Sequence, residues 1–232
     1  MIIVKFCIQL ASLVFITISF AHADIVRSIS ELQANQRIAA YFNSPAVANA
    51  IAQKALAKEK KFGLQPDCHQ YDAKVLMIDP LAPIDFPAEQ EHPIKGRWRT
   101  VIELNRCGQQ RTYTSFFTAS EKAGPTPRLL SAGVSLASDT LMVDAIGSVM
   151  LAMFIKNPEI SKCKDIEFFN MAIIEQPTLP DPQSSSITSP WKESWALWFC
   201  GKVHSVGLRF EPNKDGIGTR FFVDAGLPGK SP

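Results

Sequence analysis

The stretch Trp191-Lys192-Glu193-Ser194-Trp195-Ala196-Leu197-Trp198-Phe199-Cys200-Gly201 decides how this chain is read. Its alternate positions Trp191, Glu193, Trp195 and Leu197 are mostly large and apolar, the period of a strand with one buried face. Trp198 falls on the opposite face. Cys200-Gly201 then opens a turn, because glycine takes positive φ without a steric cost. Val203 to Phe210 reads as the return strand, and Arg220 to Val223, after Gly218-Thr219, as a last one.

Working outward, the same order of signals occurs earlier. A shift of about 93 positions brings Trp98 onto Trp191, Leu104 onto Leu197, Cys107-Gly108 onto Cys200-Gly201, and Phe117 onto Phe210. Trp98 to Arg106 and Arg111 to Thr118 read as the matching hairpin. Each hairpin is preceded by a helix. Ser44 suits an N-cap and Pro45 the first helical position, so a helix is expected over Ala46 to Lys60. Ser138 or Asp139 caps a second one, which ends where Asn157 precedes Pro158. A short apolar run follows each helix, Ala73 to Ile78 and Ile166 to Ile174. Proline-containing loops are expected over Asp79 to Gly96 and Gln176 to Pro190. The fold class is therefore read as α+β: a duplicated helix–strand–loop–hairpin unit, with two helices packed on antiparallel sheet. The units span 24–125 and 126–232, either as two lobes or merged into one domain.

The first residues give the compartment. Lys5 precedes an uncharged run from Phe6 to Phe20, and Ala21-His22-Ala23 offers small residues at the positions a signal peptidase reads. Residues 1–23 are read as a signal peptide, with a mature chain starting at Asp24 in the periplasm or outside the cell. The run is shorter than the roughly 20 apolar residues of a span. No stable membrane span is expected after cleavage. Losing Lys5 takes the formal net charge from +2 to about +1, too little clustered cation for a nucleic-acid surface. Cleavage also removes Cys7. Cys68, Cys107, Cys163 and Cys200 remain, an even number that reads in an exported chain as two disulfides. The nearly equal spacings, 68 to 107 and 163 to 200, favour one bond within each unit. No CxxC or HxxxH spacing supports a metal site, and no cofactor motif is present.

The search for chemistry yields little. There is no G-x-S-x-G elbow and no phosphate-cradling glycine loop. His69, His92 and His204 belong to no recognisable spacing. Acidic residues drawn from distant segments, Asp72, Glu103, Glu193 and Asp215, leave a hydrolase of envelope or host polymers open. Lys58-Glu59-Lys60-Lys61 reads as a solvated helix end whose cations suit the helix dipole. The second helix has only a narrow polar stripe, Thr140, Asp144, Gly147 and Ser148. It is expected to be buried on most sides, with a homodimer contact as the alternative. Trp191, Trp195 and Trp198 are candidates for an aromatic platform that meets a partner, against the plainer reading that the first two are core.

The segment Trp191 to Gly201, with Phe210-Glu211-Pro212 and Gly218-Thr219-Arg220-Phe221, resembles a W-x-E-x-W-x(4)-C-G … G-T strand motif of uncharacterised proteobacterial secreted and envelope proteins. That resemblance implies a compartment and no activity. The earlier unit departs from it, with Thr100 for the glutamate and Ile102 for the second tryptophan. The expectation is an exported, non-enzymatic protein that binds an envelope or extracellular protein or glycan. The alternatives are the hydrolase and a secreted virulence-associated factor.

Overall fold

The computed structural model describes residues 24–63, 70–122, 124–163, 165–178, 187–215 and 217–224. The expected signal peptide, Cys68, His69 and the triple-serine loop at 184–186 lie outside the described residues. After a short first strand come three helices: α1 (Ile29–Ala34), α2 (Gln36–Phe42) and α3 (Pro45–Lys61). A fourth, α4 (Asp139–Lys156), divides the strands into two groups. Ser44 Oγ accepts the Val47 N–H and Ser138 Oγ that of Leu141, so both long helices start at the expected caps.

The strands are β1 (Asp24–Val26), β2 (Tyr71–Phe86), β3 (Lys95–Arg106), β4 (Gln109–Ser120), β5 (Gly124–Gly133), β6 (Ile166–Glu175), β7 (Trp191–Phe199), β8 (Lys202–Pro212) and β9 (Thr219–Asp224). They form one sheet in chain order, every neighbour antiparallel except β5 and β6. The fold is thus α+β with a mostly antiparallel sheet, and a single sheet runs through both halves. The position between residues 125 and 126, taken as the unit boundary, falls inside β5.

Two hairpins turn in the same way. Arg106 faces Gln109 and Phe199 faces Lys202, leaving Cys107-Gly108 and Cys200-Gly201 as two-residue loops. All four turn residues have positive φ, 52° and 81° in the first, 50° and 74° in the second. This is the turn whose twist matches a hairpin, and it requires φ > 0 at both positions. Trp98 pairs with Phe117 and Trp191 with Phe210 across the strands. Both pairs are stacked, with ring centroids 5.6 Å and 4.8 Å apart.

The parallel pair joins the halves. β5 meets β6 only at Ala132–Asn170 and Gly133–Met171, and the Val134 N–H continues to the Met171 carbonyl. After this join the strands keep adding on the same side, but their sense is reversed. Such a continuation amounts to a half-turn about a line across the strands, which turns the second group over. The tryptophan faces of β3 and β7 therefore lie on opposite sides of the sheet. The N-terminal helices cover one: Phe42, Ile51, Ala52 and Ala55 pack on Ile84, Trp98, Ile102 and Leu104. α4 covers the other, placing Met142, Ala145, Val149 and Met153 on Trp191, Trp195, Leu197 and Phe210.

Each helical layer also reaches across the join. Phe62, just after α3, packs on Phe169, Ala196 and Trp198 of the second group. The approach to α4 is tied to β3: Arg99 donates to the Ser135 carbonyl at 2.9 Å and Arg97 to Asp139 at 3.2 Å.

Several elements differ from expectation. β2 runs on to Phe86, into the first part of the segment expected to be a loop, and β5 is a strand the sequence does not signal. Both contain prolines, Pro80 and Pro83 in one, Pro125 and Pro127 in the other. Proline cannot donate to a ladder and is confined to edges or bulges. Both strands meet that condition. β1 covers β2 only at residues 84–86, and β6 covers β5 only at 132–133. The short helices α1 and α2 lack a long periodic run. α4 is less buried than its composition suggests: Val143, Leu151 and Ile155 are 60–73% exposed. Cys163 and Cys200 form a disulfide, Cα atoms 5.3 Å apart. Of the second expected bond, Cys107 is described and Cys68 lies outside the described residues.

Two consequences follow for stability. A Cβ on Gly133 would stand 1.8 Å from the Met171 carbonyl oxygen, at φ +77°. Gly133→Ala should cost at least about 3 kcal/mol, since strain and a backbone clash act together at the join; thermal unfolding by circular dichroism measures this. Replacing both Cys163 and Cys200 by alanine releases a loop of 37 residues and should cost about 4 kcal/mol by loop entropy, read from urea midpoints of the oxidised and double-mutant proteins.

Candidate functional site

Two buried carboxylates organise the polar interior. The first is Glu193, fully buried in the middle of β7. Strand alternation puts Trp191, Glu193 and Trp195 on one face. The Glu193 Oε1 accepts the Trp191 indole N–H at 2.8 Å and the Leu136 backbone N–H at 2.8 Å; Oε2 accepts the Trp195 indole N–H at 2.7 Å. A buried indole needs an acceptor for its N–H, and one carboxylate serves two of them plus the chain entering α4. The W-x-E-x-W pattern is thereby a clasp between β7 and the start of α4. In the first half Thr100 stands at the equivalent position. Its Oγ1 is buried and hydrogen-bonded to none of the described groups.

The second is Glu59 on α3, 5% exposed. Its Oε1 accepts from the Tyr113 hydroxyl at 2.5 Å, with Arg111 Nη1 3.6 Å away, and its Oε2 accepts from Arg106 at 3.1 Å. Burial and then the bond to Glu59 push the Tyr113 phenol far up, so it stays protonated and donates. The sequence reading took this stretch for a solvated helix end. The structure corrects it, because Ala48, Ile51, Ala52, Ala55 and Glu59 share the helical spacing of one buried face.

Glu59 lies in the wall of a cleft of about 560 Å³ where the two halves join. α3 and its end supply Lys58, Glu59 and Phe62; β4 supplies Arg111 and Tyr113; β5 and β6 supply Gly133, Phe169 and Asn170. Lys58 Nζ donates to the Leu130 carbonyl at 2.6 Å. Burial holds the Lys58 ammonium below the usual lysine range, opposed by Glu167 and reinforced by Lys61. Lys61 and Glu167 themselves form an ion pair across the join.

The residues singled out from sequence fare differently. Trp191 and Trp195 are 3% and 0% exposed, so they form core and present no platform; the clasp and α4 cover them. Trp198 is half-buried on the opposite face, against Phe62 and Phe169 beside the cleft. The four acids do not converge as a set, although Asp72 and Glu103 both stand near Lys74 on the paired strands β2 and β3. Glu103 pairs with Lys74 at 2.8 Å, Asp72 lies at the start of β2, Glu193 is enclosed, and Asp215 accepts the Ile217 N–H in the β8–β9 turn. Four strands separate β3 from β8 in the sheet. His204 stacks on Phe199, its pKa lowered by burial and then by Lys202; His92 lies against Gly124. Among the described residues no group of His, Cys, Asp or Glu is placed to hold a metal, and no helix is long and apolar enough to cross a membrane.

Glu193→Gln sets an amide –NH2 against at least one of the three N–H donors. It should cost about 3 kcal/mol, the scale of a lost charge-assisted bond plus an unpaired buried donor, and shift the tryptophan emission; urea unfolding followed by fluorescence reads both. No known protein family, curated protein or solved structure matches this chain.

Proposed function

We propose that this is an exported, non-enzymatic binding protein whose ligand seat is the cleft at the β5–β6 join. The observation that carries the reading is the lining of that cleft, which combines apolar Phe62 and Phe169 with polar Lys58, Arg111 and Asn170. Ligand sites are typically concave, mostly apolar and fitted with a few convergent polar groups, in volumes of about 300–1,000 Å³. The scattered acids give the hydrolase reading no such support. The Cys163–Cys200 disulfide favours an oxidising compartment, and the leader-like residues 1–23 favour the periplasm or the exterior. The resemblance of the C-terminal motif to secreted and envelope proteins points the same way.

The two halves are read as copies of one unit. The matching Cys-Gly turns and the matching Trp–Phe stacks at one constant sequence shift support this. By the same correspondence Cys107 is bonded to Cys68. The second copy keeps the glutamate clasp for its core, and the cleft arises only where the copies meet.

A fragment library titrated into the isotopically labelled, disulfide-bonded protein tests the reading by amide shifts. Hits should cluster on residues 58–62, 111–113 and 169–171. Hits that cluster elsewhere, or an absence of hits, would contradict it.

A further inference from the structure

The charges around the cleft narrow the ligand, provided that the cleft is the seat proposed above. Its lining holds two cations, Lys58 and Arg111, and one carboxylate, Glu59. Glu59 is engaged by the Tyr113 hydroxyl, by Arg106, which stands outside the lining, and by Arg111 at 3.6 Å, so one carboxylate is shared by two guanidinium groups and leaves one positive charge in surplus. Tyr113 is a donor in that bond and brings no negative charge. Glu167, the nearest further acid to Lys58, is paired with Lys61. Lys58 donates to a backbone carbonyl, a neutral acceptor. The polar side of the cleft therefore carries an excess of positive charge in a partly desolvated place, where a charge gains most from an opposite partner. The lining also holds Phe62 and Phe169, which pack with Trp198.

We propose that the cleft binds a small monocarboxylate with an apolar body, its carboxylate meeting Lys58 and Arg111 and its body lying against Phe62 and Phe169. One negative charge suits the lining. A dianion would have to shed a larger hydration shell in a mostly apolar seat. Arginine and lysine together give a carboxylate both a planar fork and a point charge. An apolar body adds affinity in proportion to the surface that it takes out of water.

Trp198, beside Phe62 and Phe169, serves as the reporter. Hexanoate, octanoate and decanoate, kept below micelle formation, are titrated into the disulfide-bonded protein by fluorescence and calorimetry. Methyl octanoate and octylamine are the controls. Affinity should rise about three- to fourfold for each methylene. The ester and the amine should bind at least tenfold more weakly than octanoate. Lys58→Met and Arg111→Gln should each weaken octanoate at least tenfold while leaving the amide spectrum away from the cleft unchanged. Equal binding of acid, ester and amine would overturn the carboxylate assignment but leave the cleft as the seat. Competition by inorganic phosphate at the same concentration as octanoate would overturn the apolar half. If no fatty acid binds, the proposal falls, whereas the fragment titration decides separately whether the cleft binds anything.

Discussion

Two bridge pairs between β5 and β6, Ala132–Asn170 and Gly133–Met171, carry the arrangement of everything else. Among the described residues they are the only parallel contact in a sheet of nine strands. Antiparallel neighbours can be joined by a two-residue turn, but a parallel pair needs a crossover, and here α4 supplies it. Because the join is parallel and the strands keep adding on one side, the second meander presents its tryptophan face to the far side of the sheet. Each helical layer then has a face of its own to cover, with a margin that overlaps the other half. Phe62 reaches Trp198 over one margin, and Arg97 and Arg99 hold the approach to α4 over the other. Gly133 sits where the backbones come too close for any side chain.

The two buried glutamates divide the remaining work. An ionised group in the interior persists only when its hydrogen-bonding capacity is met. Glu193 meets that need with three N–H donors and so fixes α4 on β7. Glu59 meets it with a tyrosine and two arginines and so fixes α3 on β3 and β4. The first leaves nothing exposed. The second lies in the wall of an open cleft beside Lys58 and Arg111, the latter sharing its carboxylate at 3.6 Å.

Much of the architecture was legible in the sequence. The alternation through Trp191 to Leu197, the two Cys-Gly turns and the Ser44 and Ser138 caps come from short-range rules that hold wherever a segment lies, and the Cys163–Cys200 pairing from the even number and nearly equal spacing of the cysteines. β2 and β5 were not legible. Pro80, Pro83, Pro125 and Pro127 argue against strands unless one already knows that β1 and β6 leave one side of those positions uncovered. The buried role of Glu59 was written in the spacing of Ala48, Ala52 and Ala55, but a run of lysines beside it pointed to solvent. Trp191 and Trp195 drew attention as an aromatic patch. Their enclosure depends on α4 and on a glutamate between them, and the latter was in plain view. The cleft could not be read at all, because its walls come from four elements that only the join brings together.

Cross-strand nuclear Overhauser effects at that join are the most direct test of the account. Spectra of the disulfide-bonded protein should show contacts linking Ala132 and Gly133 to Asn170 and Met171, in the pattern of parallel strands. If those contacts are missing while the two antiparallel meanders are each intact, the halves are separate sheets, and neither the opposed helical layers nor the cleft between them exists.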